Sequence, residues 1–365
     1  MCFLDSVLLL NMERPKQAVL SKTPRRQSGF FCNLADLHAH IAPSIPPSVY
    51  WHIAQSEGYK LSKRDYHEFV NFIVLSPKRK STLKEYLDNV YHPILDKLSS
   101  GSIALEKGVY ETMSGAYRSN NIRLLELRGN PMKHNRDGEV DLDHAIMAML
   151  RGMERALLEY PKLRAGLIFC LDRQFSVEKN SIIVEKAIKY HSRGVIGIDF
   201  SNYNVGNFYF KDYVGILNKA RRAGLKITAH SGETVDTNDL WDCVTYARPN
   251  RIGHGIKAAY DVKLMNILHK KDIVLEVCPL SNLMTKAVRD NEELRFILQT
   301  FFKNGVKFTI NTDWPEMIEN AHLIKQFEYL EKNNILTTAQ LKQTIKWSLQ
   351  YTFINLKNKN GNLYL

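Results

Sequence analysis

From residue 33 onward, short apolar or β-branched runs alternate with longer amphipathic ones, and few folds can absorb that rhythm. The short runs are 33–41, 122–128, 165–171, 195–200, 225–230, 251–254, 273–277 and 307–313. Between them lie helical patterns over Asp143–Glu159, Val177–His191, Lys211–Arg222, Val262–Lys270 and Glu292–Asn304. In the first of these, Ile146, Met149, Leu150, Met153, Ala156 and Leu157 recur at three- and four-residue spacing and form one apolar face. Strands alternating with helices in this way predict a parallel α/β fold. A Gly-rich phosphate or dinucleotide fingerprint, the mark of many open doubly wound sheets, does not follow the first strand. Eight is also the number of strands that closes a ring. The expected fold is therefore α/β, a (β/α)8 TIM-like barrel.

The first connection, 42–121, is far longer than a single crossover. It reads as helices over Tyr50–Glu57, Lys63–Phe72, Thr82–Leu98 and Ile103–Arg118. A helical insertion after a barrel strand sits over the face that carries the chemistry, so this region is expected to act as a lid. Residues 1–32 mix Pro15, Ser21, Pro24 and Ser28 with basic residues and are expected to be a loosely ordered extension. The barrel is expected over 33–355, and the Asn- and Lys-rich stretch 356–365 as a fraying tail.

A hydrophobic content of 44% suffices for one large core. The net charge of +12 would suit an anionic ligand, but the basic residues are scattered among 38 acidic ones, which equally describes a solvated surface. No nucleic-acid motif and no basic-aromatic stripe accompanies the charge, so a nucleic-acid partner is not expected. The five cysteines (Cys2, Cys32, Cys170, Cys243, Cys278) are widely spaced and form no Cys-X-X-Cys pair. That pattern argues against a disulfide framework or a thiolate zinc site and fits a reducing compartment. The apolar run Val7–Leu10 is too short to span a bilayer. A soluble cytoplasmic protein without a membrane partner is the expectation.

In a barrel of this kind the strand ends carry the chemistry. The first strand ends in Asp36-Leu37-His38-Ala39-His40, where residues two apart share a face and present two imidazoles together. The fifth ends at His230, followed by Ser231-Gly232-Glu233. The sixth gives His254 before Gly255, and the eighth runs through Asn311-Thr312 to Asp313. Taken singly, His230 could be a satisfied core histidine, Glu233 a helix N-terminal carboxylate and Asp313 a turn or helix cap. Taken together, His38, His40, His230 and Asp313 offer a divalent metal three nitrogens and an oxygen. Glu233 and His254 stand beside that set uncommitted.

These residues, with Arg251-Ile252-Gly253-His254-Gly255 and Leu275-Glu276-Val277-Cys278-Pro279-Leu280-Ser281-Asn282, resemble the adenosine deaminase family of metal-dependent amidohydrolases. The resemblance spans 33 to about 350. It implies one zinc ion held by His38, His40, His230 and Asp313, and hydrolytic deamination of adenosine or a related aminopurine nucleoside. On the same analogy Glu233 is the acid that protonates the purine ring, His254 orients the attacking hydroxide and Asp313 accepts its proton. Gly232, Asn202 and Trp314 are implied to meet the substrate. The His/Cys/Cys signature of the other zinc deaminases is absent.

Three positions depart from the family's substrate-reading pattern. Ile41-Ala42 stands where Leu-Asp is usual, Asp313-Trp314-Pro315 where Asp-Asp-Pro is usual, and Asn202 where a glycine is common. An altered recognition set beside a retained catalytic set leaves room for another substrate, such as an N6-modified adenine nucleotide. In that case Lys78-Arg79-Lys80 in the lid would be expected to meet the phosphate. A non-catalytic metal-binding barrel is the alternative from a different class. The intact acid, histidine and ligand set weighs against it.

Overall fold

The computed structural model describes residues 33–135, 141–203, 206, 208–234 and 237–356. The extension expected over 1–32 and the tail beyond 356 lie outside the described residues. The strands are β1 (Leu34–His40), β2 (Ile122–Gly129), β3 (Arg164–Asp172), β4 (Val195–Ser201), β5 (Lys226–Ile227), β6 (His230–Ser231), β7 (Arg251–His254), β8 (Val274–Val277) and β9 (Phe308–Ile310). They form a five-stranded sheet, β1-β2-β3-β4-β5, and a four-stranded sheet, β6-β7-β8-β9. Every ladder is parallel.

Strands β5 and β6 are two halves of the single strand expected over 225–230, parted at Thr228-Ala229. Across that seam Thr228 N–H donates to Ile198 O (3.0 Å), and Gly253 N–H donates to Ala229 O (2.8 Å). At the opposite seam His40 N–H donates to Asp313 O (3.0 Å) and Asp313 N–H to His38 O (2.8 Å). Side chains reinforce it. Thr312 Oγ1 donates to Asp36 Oδ2 at 2.6 Å, and Leu37 N–H to Asn311 Oδ1 at 3.0 Å. Eight strand positions thus make up the (β/α)8 arrangement, with the ladder interrupted at two seams. The expected strand 307–313 gives up its ladder after Ile310, because Asn311 to Asp313 turn to meet β1.

The strands are buried on both faces, as parallel barrel strands must be. Ala35, Leu37 and Leu124 pack against Leu349, Ile354 and Leu356 of the C-terminal helix and its exit. Charge fills much of the interior. Fully buried Arg128 reaches Glu276 (2.8 Å) and Asp199 (3.1 Å), while Arg251 reaches Glu276 (2.7 Å) and also pairs with Glu126. Residues Tyr351 to Phe353 cover this network from below. Arg251 Nη1 donates to Tyr351 O at 2.7 Å, its guanidinium lies 3.5 Å from the Phe353 ring centre, and Glu126 Oε1 accepts from Phe353 N–H at 2.6 Å.

Two helical expectations need correction. Strand 33–41 stops at His40, and Ile41–Ser44 turns at once into a short helix. The single helix expected over Thr82–Leu98 is instead a turn, Leu83–Tyr86, capped by Thr82 and Glu85, that widens to i→i+5 bonding over Leu87–Asp96. Pro93 lies inside that stretch and cannot donate the hydrogen bond an ordinary turn requires. The other insertion helices run Pro47–Ser56, Tyr66–Ile73 and Ser102–Asn120. Among the described residues no helix is long and apolar enough to cross a membrane.

Candidate metal centre and active site

The strand ends bring His38, His40, His230 and Asp313 together, with one ligand atom of each within 4.8 Å of all the others. His40 Nε2 and His230 Nε2 approach to 3.0 Å, and Asp313 Oδ1 lies 3.4 Å from both His38 Nε2 and His40 Nε2. His38 Nε2 and Asp313 Oδ1 are buried and have no hydrogen-bond partner. Orphaned lone pairs converging on one point are costly without an acceptor of electron density, and a divalent cation removes that cost. The residues therefore fit a metal.

The outward nitrogens of His38 and His230 are engaged in the way metal-binding imidazoles require. His38 Nδ1 meets Glu276 Oε2 at 2.8 Å, and His230 Nδ1 meets Asp199 Oδ2 at 2.9 Å. Each carboxylate accepts a hydrogen bond from Nδ1–H, which leaves the Nε2 lone pair to ligate. Burial pulls His38 and His40 well below the ordinary imidazole range, so both are held in the neutral form that binds metal. A second grouping, His38, His254, Cys278 and Asp313, also converges. Cys278 Sγ already donates to Glu276 O at 3.5 Å and burial disfavours its thiolate, whereas the first grouping offers only nitrogens and a carboxylate and is the better ligand set.

Glu233 and His254 stand at the edge of this cluster. His254 Nε2 lies 3.7 Å from Glu233 Oε2 and 4.0 Å from Asp313 Oδ2. Burial, then the Asp313 charge, raises Glu233 to about 8, so it carries a proton at neutral pH. Burial holds His254 well below the ordinary range and therefore neutral. Two residues of the short helix Pro279–Met284 set the rest. Ser281 Oγ donates to Asp313 Oδ2 at 2.6 Å, and Asn282 Nδ2 meets His254 Nδ1 at 3.0 Å. With Asn282 donating there, the imidazole proton of His254 sits on Nε2 and faces the cluster.

The backbone is contorted at these positions. His254 (φ 59°), Asp313 (φ 61°) and Asn202 (φ 74°) all occupy the left-handed region, a concentration of strain that marks functional loops. Gly232 is held there too, at φ 65°. A Cβ on Gly232 would stand 2.3 Å from Leu240 Cδ1. Gly232→Ala is therefore expected to displace Glu233 and cut kcat/KM by roughly 10²-fold with folding retained, read by steady-state kinetics beside a circular dichroism melt.

A cavity of about 130 Å³, open to solvent, reaches down to His40, His230, Glu233, His254 and Asp313. Gly232, Asn202 and Trp314 all line it, with geometries the sequence did not foretell. Asn202 Nδ2 is bound to both oxygens of Asp172 at 3.1 Å, and its positive φ explains how asparagine stands where glycine is common. The Trp314 indole is buried and stacked on Tyr86, ring centres 4.9 Å apart, so it forms wall. Ala42 is fully buried and turned away, its carbonyl accepting from Tyr50 Oη. Lys78, Arg79 and Lys80 do not line the cavity, which corrects their expected role at a phosphate. Arg79 spends its guanidinium on Val74 O. Sequence reasoning missed Asp199, Arg128 and the cavity-lining Arg173, whose only sequence signal is charge inside or just beyond an apolar strand run.

Barrel, ligand set and buried acid together define a metal-dependent hydrolase of the amidohydrolase kind. The profile of the family described as adenosine deaminase matches residues 33–363, and the chain belongs to that family. It is 28% identical over 326 residues to an adenosine deaminase of Clostridium perfringens, covering 89% of this chain and 95% of the relative. Among solved structures, an adenine deaminase from Arthrobacter aurescens superposes with a TM-score of 0.78 at 21% identity, covering 88% of this chain and 94% of that one. An amidohydrolase from Burkholderia ambifaria, solved with bound Zn, gives 0.77 at 21% identity over 89% and 87% of the two chains. The protein is an enzyme, a metal-dependent deaminase.

Proposed function

We propose that the chain is a zinc-dependent hydrolytic deaminase of adenosine or a closely related aminopurine nucleoside, releasing ammonia. The observation that carries this reading is a buried, protonated Glu233 beside three histidines and an aspartate whose ligand atoms converge, those of His38 and Asp313 unpartnered. His38, His40, His230 and Asp313 would hold the zinc, whose donor set of nitrogens and a carboxylate oxygen suits that ion. When bound, zinc supplies the Lewis acidity that brings the pKa of a water to about 7.

The remaining chemistry belongs to the chain's own side chains. Glu233 donates its proton to a ring nitrogen, which makes the adjacent amino-bearing carbon electrophilic. His254, with its proton on Nε2, donates to the oxygen of the attacking water and fixes its direction. Asp313, its Oδ2 anchored by Ser281, accepts the proton that the water loses. Attack produces a tetrahedral carbon. That carbon expels ammonia as the amino group takes the proton held by Asp313, and the proton of the new hydroxyl returns to Glu233, leaving the carbonyl.

A neutral sugar is favoured over a 5′-phosphate because the lysine and the arginine lining the cavity are already paired. Lys133 lies 2.6 Å from Asp172, and Arg173 lies 2.7 Å from Asp239. Ammonia release from the zinc-loaded protein, scored over adenosine, adenine, N6-methyladenosine and their 5′-monophosphates, tests the reading. The highest kcat/KM is expected for a nucleoside. A nucleotide ahead of its nucleoside by tenfold would overturn the preference. The rate is further expected to fall about tenfold per pH unit above about 8, where Glu233 gives up its proton, and to lack that fall below it. A kcat/KM profile from pH 6 to about 10 reads this directly.

A further inference from the structure

The wide turn Leu87–Asp96 carries a histidine–aspartate pair that the deamination chemistry leaves unused. His92 Nδ1 meets Asp96 Oδ2 at 2.8 Å, and the Asp96 side chain is only 9% exposed. Asp96 Oδ2 accepts a hydrogen bond from Nδ1–H in the tautomer whose lone pair sits on Nε2. That nitrogen is buried and has no hydrogen-bond partner. Both residues line the cavity that holds the metal cluster, and both also line an adjoining pocket with Tyr59, Lys97, Ser100 and Lys133. They therefore stand where the two spaces meet.

A second unpartnered polar atom lines the same cavity. Asn130 is 7% exposed, and its Oδ1 accepts from Met132 N–H at 2.9 Å, which fixes the amide orientation and leaves Nδ2 without a partner. Away from the metal cluster, the described cavity wall thus offers the unpartnered His92 Nε2 and, besides the unpartnered Arg173 Nε, the donor Asn130 Nδ2. A sugar carries hydroxyls that can donate to the first and accept from the second. Neither atom is needed for the attack itself, since Glu233 addresses the reacting ring nitrogen and His254 the attacking water at the metal end.

We propose that His92, held by Asp96, is a specificity-determining residue that accepts a hydrogen bond from a sugar hydroxyl of the substrate, with Asn130 donating to the same sugar. The inference rests on the nucleoside reading above. It makes the lid the reader of the sugar. It also explains how the chain can carry Ala42, buried and turned away from the cavity, where the family pattern has an aspartate.

The test uses the full-length zinc-loaded protein with His92→Phe, His92→Gln, Asp96→Asn and Asn130→Ala. Two readouts are taken: kcat and KM for adenosine and for its 2′-, 3′- and 5′-deoxy forms, and calorimetric binding of inosine against hypoxanthine. His92→Phe is expected to raise KM for adenosine and weaken inosine roughly 10- to 100-fold, with kcat changed far less. The penalty should vanish for the one deoxy substrate that lacks the hydroxyl being read, and for hypoxanthine. His92→Gln, whose side-chain carbonyl can accept the same bond, should recover part of the loss. Asp96→Asn should act in the same direction as His92→Phe, but more weakly, because it only loosens the ring. Equal penalties on every substrate and on hypoxanthine, or no penalty at all, would overturn the assignment while wild-type turnover of adenosine leaves the function standing. A wild type that deaminates no nucleoside and binds no inosine would overturn both.

Discussion

Glu233→Gln is expected to lower kcat by about 10²–10⁴-fold while the protein keeps its full complement of metal. Glutamine preserves the shape and hydrogen-bond reach of the protonated carboxyl but cannot deliver a proton. Its position outside the ligand set predicts unchanged metal content by elemental analysis. The variant also carries a signature independent of turnover. Wild-type Glu233 binds its proton up to about pH 8 in the folded chain, against an ordinary carboxylate value of 4.5 when unfolded. The folded state therefore holds a proton that the unfolded state has released across that window. Wild-type stability contributed at this site is complete below about pH 4.5 and declines as pH rises toward 8. The metal-free Gln variant lacks that decline, so it should melt above the metal-free wild type at pH 8, with the gap closing toward pH 4.5. Wild-type turnover in the variant would remove Glu233 as the acid. Parallel melting curves across that range would remove the burial argument behind it.

The parts of this architecture legible in the sequence are those set by local chemistry. The helices Asp143–Glu159 and Val262–Lys270 appear with their expected bounds, because their apolar stripes and flanking residues settle them locally. The strand ends at His38, His40, His230, His254 and Asp313 could be placed because polar residues closing an apolar run have few other reasons to be there. The split of one strand at Thr228-Ala229 carries no local signal; it follows from how the ring closes. Within the stretch expected as one helix, the apolar periodicity gives no sign of the wide turn around Pro93 that presents His92 and Asp96 to the cavity. Ala42 and Trp314 differ from the family pattern, but only the fold shows that one turns away and the other becomes wall. The interior charges were hardest to read. Arg128 and Glu126 lie within an apolar strand, and nothing nearby in sequence names their partners, 71 and 125 positions further on.

That interior network makes Glu276 the residue whose loss should be felt most widely. Its two oxygens take hydrogen bonds from Arg128 (2.8 Å), Arg251 (2.7 Å), Thr228 Oγ1 (2.9 Å) and His38 Nδ1 (2.8 Å). Burial alone would raise this carboxyl, but Arg128 and Arg251 outweigh it and hold the group near 2. It is therefore ionised throughout the working range, and the stability it contributes is lost only as pH falls below the ordinary carboxylate range toward 2. Glu276→Ala leaves two guanidiniums buried with reduced compensation, Arg128 keeping Asp199 and Arg251 keeping Glu126. Breaking a buried pair from one side costs about 3–5 kcal/mol, and here two pairs share the lost partner. The metal-free variant should accordingly unfold at markedly lower denaturant than wild type. Because His38 also loses the group that accepts its Nδ1–H hydrogen bond, metal affinity should fall about 10- to 100-fold in competition with a chelator. Thr228→Val, which removes only a neutral hydroxyl from the same carboxylate, should cost about 1 kcal/mol and leave metal affinity near wild type. If both substitutions weakened metal binding alike, the effect would belong to general loosening of the barrel. If only Glu276→Ala does, charge buried beneath the cluster is what sets His38 as a ligand.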